Sequence, residues 1–223
     1  AANSDYRSLA HTLLANGLVE YHLTEKSLEA KLKRATKNAI NLLEGFVLVE
    51  WDANAGDPYM EGEPDAETGE PGPPIKSGDI KTNVLGLLDV ARDVYATSWD
   101  EITWCITREF VNKFELAARY PEKADSILKS DLESDVCKRL WSGRGSREDE
   151  SELVPLWKFF HAKSHAMPDG RMTAFVGDED YLLDGPNPYG TLPVYRVTPD
   201  DMEGTPFGIS PMVHLMGPQD GIN

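Results

Sequence analysis

The sequence predicts an α+β fold: N-terminal helices followed by a mostly antiparallel β-rich domain with one inserted helical segment. Three observations carry that prediction. Apolar residues recur at helical spacing from Leu28 to Leu42. Beyond residue 46 the apolar runs are short, rich in β-branched and aromatic residues, and separated by Gly, Pro and Asp turns. Between them, Asn112 with Glu115 three residues on forms a helix-start signal. The expected organisation is a helical segment over 1–45 and a β-rich domain over 46–223. Within that domain lie an acidic loop at 52–78, the inserted helices at 112–141 and a junction at 204–223.

The N-terminal stretch is weakly helical from Ser4 to Leu18, through Tyr6, Leu9, Leu13 and Leu14, and Asn16-Gly17 is expected to end it. Thr24 reads as the N-cap of the next helix, with Glu25 in its first turn. Leu28, Leu32, Ala35, Ala39 and Leu42 line one face of that helix, and Gly45 closes it. Phe46–Trp51 is a strand, and Asp52–Pro58 a turn. Residues 58–78, rich in Gly, Pro, Asp and Glu, have no hydrophobic period and read as a surface hairpin.

Sheet resumes over Ile80–Val90 and over Ile102–Phe110, where Ile102, Trp104, Ile106 and Phe110 share one face and are expected to be the buried one, with Arg108 paired or near an edge. The capped helix runs to Tyr120-Pro121, and Glu122–Ser130 continues as helix. Arg139–Glu152 is an exposed loop; its Gly143 and Gly145 lack the third Gly of a dinucleotide fingerprint. Leu153–His161 and Arg171–Gly177 pair across a Pro-Asp-Gly turn, and Tyr181–Leu183 adds a short strand. Leu192–Val197 is the last strand, Gly204–Pro211 a tight loop, and Met212–Met216 the start of a helix.

The chain has 223 residues with 40% hydrophobic and 27% charged content, enough for one sizeable core or a domain plus a smaller lobe. No run approaches the ~18 apolar residues of a membrane span. Ala1–Asp5 lacks the basic start and apolar core of a secretory signal, and there is no initiator Met. With a helix just beginning at its end, the chain reads as a fragment of a longer one. A net charge of −16 argues against an enzyme that grips a nucleic-acid backbone. Cys105 and Cys137 are too few and too far apart for a disulfide framework or a zinc site, and read as small buried hydrophobes in a reducing compartment.

The last strand and loop carry two patterns: Pro193-x-x-Arg196-x-x-Pro199, then Gly204-x-Pro206-x-Gly208-x-Ser210-Pro211. Upstream, an amphipathic helix runs straight into a strand that ends Trp51-Asp52-x-x-x-Gly56. The segment Asp93 to Arg108 is followed by Lys113-x-Glu115-Leu116-x-x-x-Tyr120-Pro121. In this order these features resemble the portal proteins of tailed bacteriophages, from about residue 20 to the end, with the acidic loop and 131–151 matching least. The resemblance implies the N-terminal and wing part of a portal protein, cut before the stem: a non-enzymatic homo-oligomeric ring, usually of twelve subunits, at the capsid vertex of the virion. It implies assembly in the host cytoplasm. The implied partners are the other subunits, the terminase motor, capsid and head-completion proteins, and double-stranded DNA passing through the channel. No membrane and no cofactor are implied. Gly204, Pro206, Gly208 and Pro211 would set the angle between wing and stem, and Gly208→Val would distort that junction provided Gly208 has a positive φ.

Two other readings start from the residues. His161 and His165, four apart, would share a helix face and could hold a metal for a hydrolase. The stretch before them has strand character, however, and no Glu follows His161 to act as base. The acidic residues 52–78 could instead form a module that recognises a basic partner. Asp52, Asn54 and Asp57 suggest a calcium loop, but Gly56 stands fifth where the pattern needs Gly sixth. Gly-x-Ser-x-Gly, Gly-x-x-x-x-Gly-Lys-Ser/Thr and His-Glu-x-x-His are all absent, so no catalytic residue is assigned.

Overall fold

A computed structural model describes residues 6–62, 72–129, 152–177 and 180–220. The chain forms two units: one from the residues before Leu85 with Val194–Asp200 and Ile209 onward, the other from Leu85–Pro193 with Asp201–Gly208. The N-terminal helices, expected to stand apart over 1–45, belong to the same unit as the first, fourth and tenth strands.

In the first unit, α1 (Tyr6–Thr24) does not stop at Gly17. That glycine has open space around it, and an exposed helical Gly costs only about 1 kcal/mol relative to Ala. Thr24 is accordingly the last residue of α1 and not the N-cap of α2; its hydroxyl donates back to the Glu20 carbonyl at 2.8 Å. The break comes at Ser27, whose φ of 52° leads into α2 (Leu28–Leu42). Ala35 and Ala39 are the buried positions of α2, whereas Leu32 and Leu42 face outward. Leu43, at φ 81°, turns the chain into β1 (Gly45–Asp52). Gly45 begins this strand and does not close the helix: a Cβ here would lie 2.1 Å from the Ala35 carbonyl, so only glycine lets helix and strand approach this closely.

β1 is the centre of a three-stranded sheet ordered β10-β1-β4, with β4 at Asp79–Leu85 and β10 at Val194–Val197. Phe46, Val47 and Leu48 are buried in succession, so both faces of β1 are covered. β10 runs antiparallel to it, Gly45 opposite Val197 and Leu48 opposite Val194. β10 therefore joins β1, some 150 residues earlier, and not the meander that precedes it in sequence. Within 52–78, β2 (Pro58–Gly62) and β3 (Gly72–Lys76) form an antiparallel hairpin.

The second unit is built on an antiparallel sheet in sequence order: β5 (Val90–Arg92), β6 (Trp104–Asn112), β7 (Leu153–His161), β8 (Arg171–Val176) and β9 (Asp180–Gly185). Asn112 caps α3 (Lys113–Arg119) as expected, its side chain accepting from the Phe114 and Glu115 amides. A short 3-10 turn leads to α4 (Ala124–Lys129). Leu116, Ala117 and Ile127 of these helices pack with Val154, Leu156, Ala174, Val176 and Leu182 as the core. The expected loop at 139–152, with Gly143 and Gly145, lies almost wholly outside the described residues.

The alternation predicted for β6 is present and Ile102 just before it is buried, but within the strand the fully buried positions lie on the other face. Cys105 and Thr107 are fully buried, while Trp104 and Ile106 are half-buried and Phe110 is exposed. A two-residue period separates two faces without saying which one a later element will cover. The open face is stabilised laterally instead. Arg108 packs over the rings of Phe110 (5.1 Å) and Trp157 (5.6 Å) and pairs with Asp89 at 2.7 Å.

Candidate functional site

The residues that carry the strand–loop–helix pattern meet the C-terminal end of α2. A helix leaves its last four carbonyls without intrahelical donors. Ser210 Oγ donates to one of them, Ile40 O, at 2.5 Å. The same hydroxyl oxygen accepts the Met212 amide at 3.2 Å, and the Ser210 carbonyl accepts from Val213. Ser210 thereby starts α5 (Met212–Asp220) while closing α2. Thr198 Oγ donates to Asp200 O at 2.7 Å and lies 3.3 Å from Leu43 O. Arg196 Nη1 meets Glu44 Oε1 at 3.2 Å, with the arginine side chain 8% exposed and the carboxylate 1%. An ion pair this buried holds a specific geometry and is costly to break on one side only.

In the second unit the loop itself is closed by Met202 N donating to Phe207 O and Thr205 N to Met202 O. Gly204 takes the positive φ, 73°, with open space around it. Gly208 does not have a positive φ; it lies in the two-residue strand β12 (Gly208–Ile209), paired with β11 (Asp200–Asp201). The premise for a Gly208→Val distortion is therefore removed. Pro206 is fully buried, and the Phe207 ring packs against the Arg92 guanidinium at 4.7 Å, which also faces Trp99 at 5.5 Å. Pro211 is exposed just before α5, where a proline needs no amide partner.

His161 and His165 do not share a helix face. His161 ends β7 with Nδ1 2.6 Å from Ala162 O, and His165 is exposed in the following loop. Among the described residues no three His, Cys, Asp or Glu side chains cluster to hold a metal. That loop is instead organised by Asn187, which sequence reasoning missed. Its buried amide donates to His161 O and Thr191 O, each at 3.0 Å, while its Oδ1 accepts from Tyr189 N. An Asn between two prolines was the available signal.

The Asp52 turn is structural: Asp52 Oδ1 accepts the Asn54 amide at 3.0 Å and Gly56 has φ 80°. Gly78 N donates to Ala55 O, which closes the base of the β2–β3 hairpin. Beside it, a cavity of about 200 Å³ is lined by Lys26, Lys31, Lys81, Asp52, Asp79 and Thr82, among others. Lys26 and Asp79 pair at 2.5 Å; that contact raises the lysine's pKa and holds the carboxyl below its usual range. Lys31 donates to Thr82 Oγ1 at 2.8 Å. The cavity lining is largely charged, with three lysines and two aspartates. Elsewhere, burial pushes the Cys105 thiol's pKa up to about 12. No helix among the described residues is long and apolar enough to cross a membrane. No protein-family profile matches the chain, and no curated protein matches it.

Proposed function

We propose that this chain is part of a structural subunit of a tailed-phage portal ring, located at the capsid vertex and serving as a conduit for the genome during packaging and ejection. The observation that carries the reading is the use made of Arg196 and Ser210, the two polar residues in the strand–loop pattern. Arg196 pins β10 to Glu44 and Ser210 pins the loop to Ile40 before α5 departs. Such anchoring suits a junction that must hold a fixed angle under load. On this reading the partners are sister subunits, the terminase, and capsid and head-completion proteins, and no residue is catalytic.

The test is the solution mass and electron-microscopic shape of the polypeptide as it is made from its gene. A ring of about a dozen copies, closed by one repeated heterologous contact, is the expected result. A monodisperse monomer or dimer overturns the portal assignment.

A further inference from the structure

α1 carries large apolar residues on several sides, and most of them are uncovered, although His22 near its end is buried. Leu9, Leu13 and Leu14 are 60%, 65% and 74% exposed, and Leu18, Val19 and Leu23 are also open. Exposed leucines in this number mark an interaction surface.

The same chain carries a site of matching dimensions. Along the outer side of α2, an open groove of about 420 Å³ is lined by Leu32, Thr36 and Ile40 together with Glu29, Lys33 and Lys37. Leu32 is 41% and Ile40 37% exposed, so the chain's own α1 does not fill it. Leu9 to Leu23 spans about 21 Å of helix and Glu29 to Asn41 about 18 Å. The charges also match. From Leu9 to Thr24 the sole charged residue is Glu20, while Lys33 and Lys37 line the groove together with Glu29. Among the described residues Lys37 has no ion-pair partner.

We propose that α1 of one copy docks in the α2 groove of a second copy, with Glu20 facing the lysines of that groove. Helix and groove are different patches, so the contact can pass from copy to copy around a ring. It does not require the portal reading: any self-assembly of this chain would use it.

The test is sedimentation equilibrium on the chain and on two variants, Leu13→Glu/Leu14→Glu in α1 and Ile40→Glu in α2, with circular dichroism as the control for folding. All three substituted side chains are solvent-exposed, so the fold should survive. The expected result is self-association at micromolar concentration, weakened at least ~10-fold by either variant. A photocrosslinker at Leu14, in a mixture of isotopically light and heavy protein, should join light to heavy chains at residues 29–41. A chain that stays monomeric, or crosslinks that fall within one chain or outside α2, overturn the proposal. So does a monomeric chain whose α1 binds phosphatidylcholine vesicles, since that makes lipid the occupant. Assembly through α1 without ring formation would leave this contact standing while removing the portal assignment.

Discussion

Ser210 does three things from one buried position: it donates to the end of α2, accepts from the start of α5, and fixes the loop between them. Ser210→Ala removes a helix cap and leaves the Ile40 carbonyl without its donor. The expected loss is about 1–3 kcal/mol, read as a lower urea midpoint at unchanged slope. A different residue reports on acid. Asp184 accepts two hydrogen bonds from Arg171, both at 2.9 Å, and a third from Thr173, and these hold its pKa below the usual value. A depressed carboxyl stabilises the fold fully above the ordinary pKa of about 3.9 and loses that contribution as pH falls through the folded value. In Arg171→Ala, carbon NMR should show the Asp184 midpoint move upward, with the acid limit of stability rising with it.

At the scale of elements, β6 and β7 are joined by the longest ladder in the described sheet, running from Trp104–His161 to Asn112–Leu153. On its covered face sits the pair Lys158–Glu109, at 3.1 Å and with side chains 11% and 10% exposed. Lys158→Ala removes one side of this buried pair and should cost roughly 3–5 kcal/mol, while Lys158→Met with Glu109→Leu should be close to neutral. Thermal unfolding of the single and double variants decides between these outcomes. What the sequence revealed of the elements follows the range of the interactions involved. The α2 helix, the β7–β8 hairpin and the Asn112 cap depend on neighbours within a few residues and were legible. The covered side of β6 was not, because it depends on α3 and α4 arriving from later in the chain. The extension of α1 through Gly17 was missed because a glycine signal is weak where no tertiary contact enforces a break. In the junction, the expected effect of Gly208→Val depends on a positive φ at Gly208, and the turn places that φ at Gly204 instead.

At the scale of the molecule, one unit is nearly continuous in sequence and the other is assembled from three distant pieces. The portal reading and the α1 contact both belong to this scale. The polar residues most informative for that reading, Arg196 and Ser210, are also those that bring the late pieces back to the early helix. The β10–β1 pairing has a consequence in time. During synthesis β1 emerges early, with one edge open until residues 194–197 arrive about 150 residues later. Every neighbouring pair of strands in the second unit's sheet, by contrast, is also consecutive in the chain. Loop-closure entropy then orders the events, with the β6–β8 meander forming before β1 gains its partner. Pulsed hydrogen exchange during refolding should protect the amides of Cys105–Phe110 before those of Phe46–Leu48; simultaneous protection would mean the two units fold as one. In the interval, an unpaired apolar strand beside an uncovered apolar helix is where this chain is most exposed to aggregation.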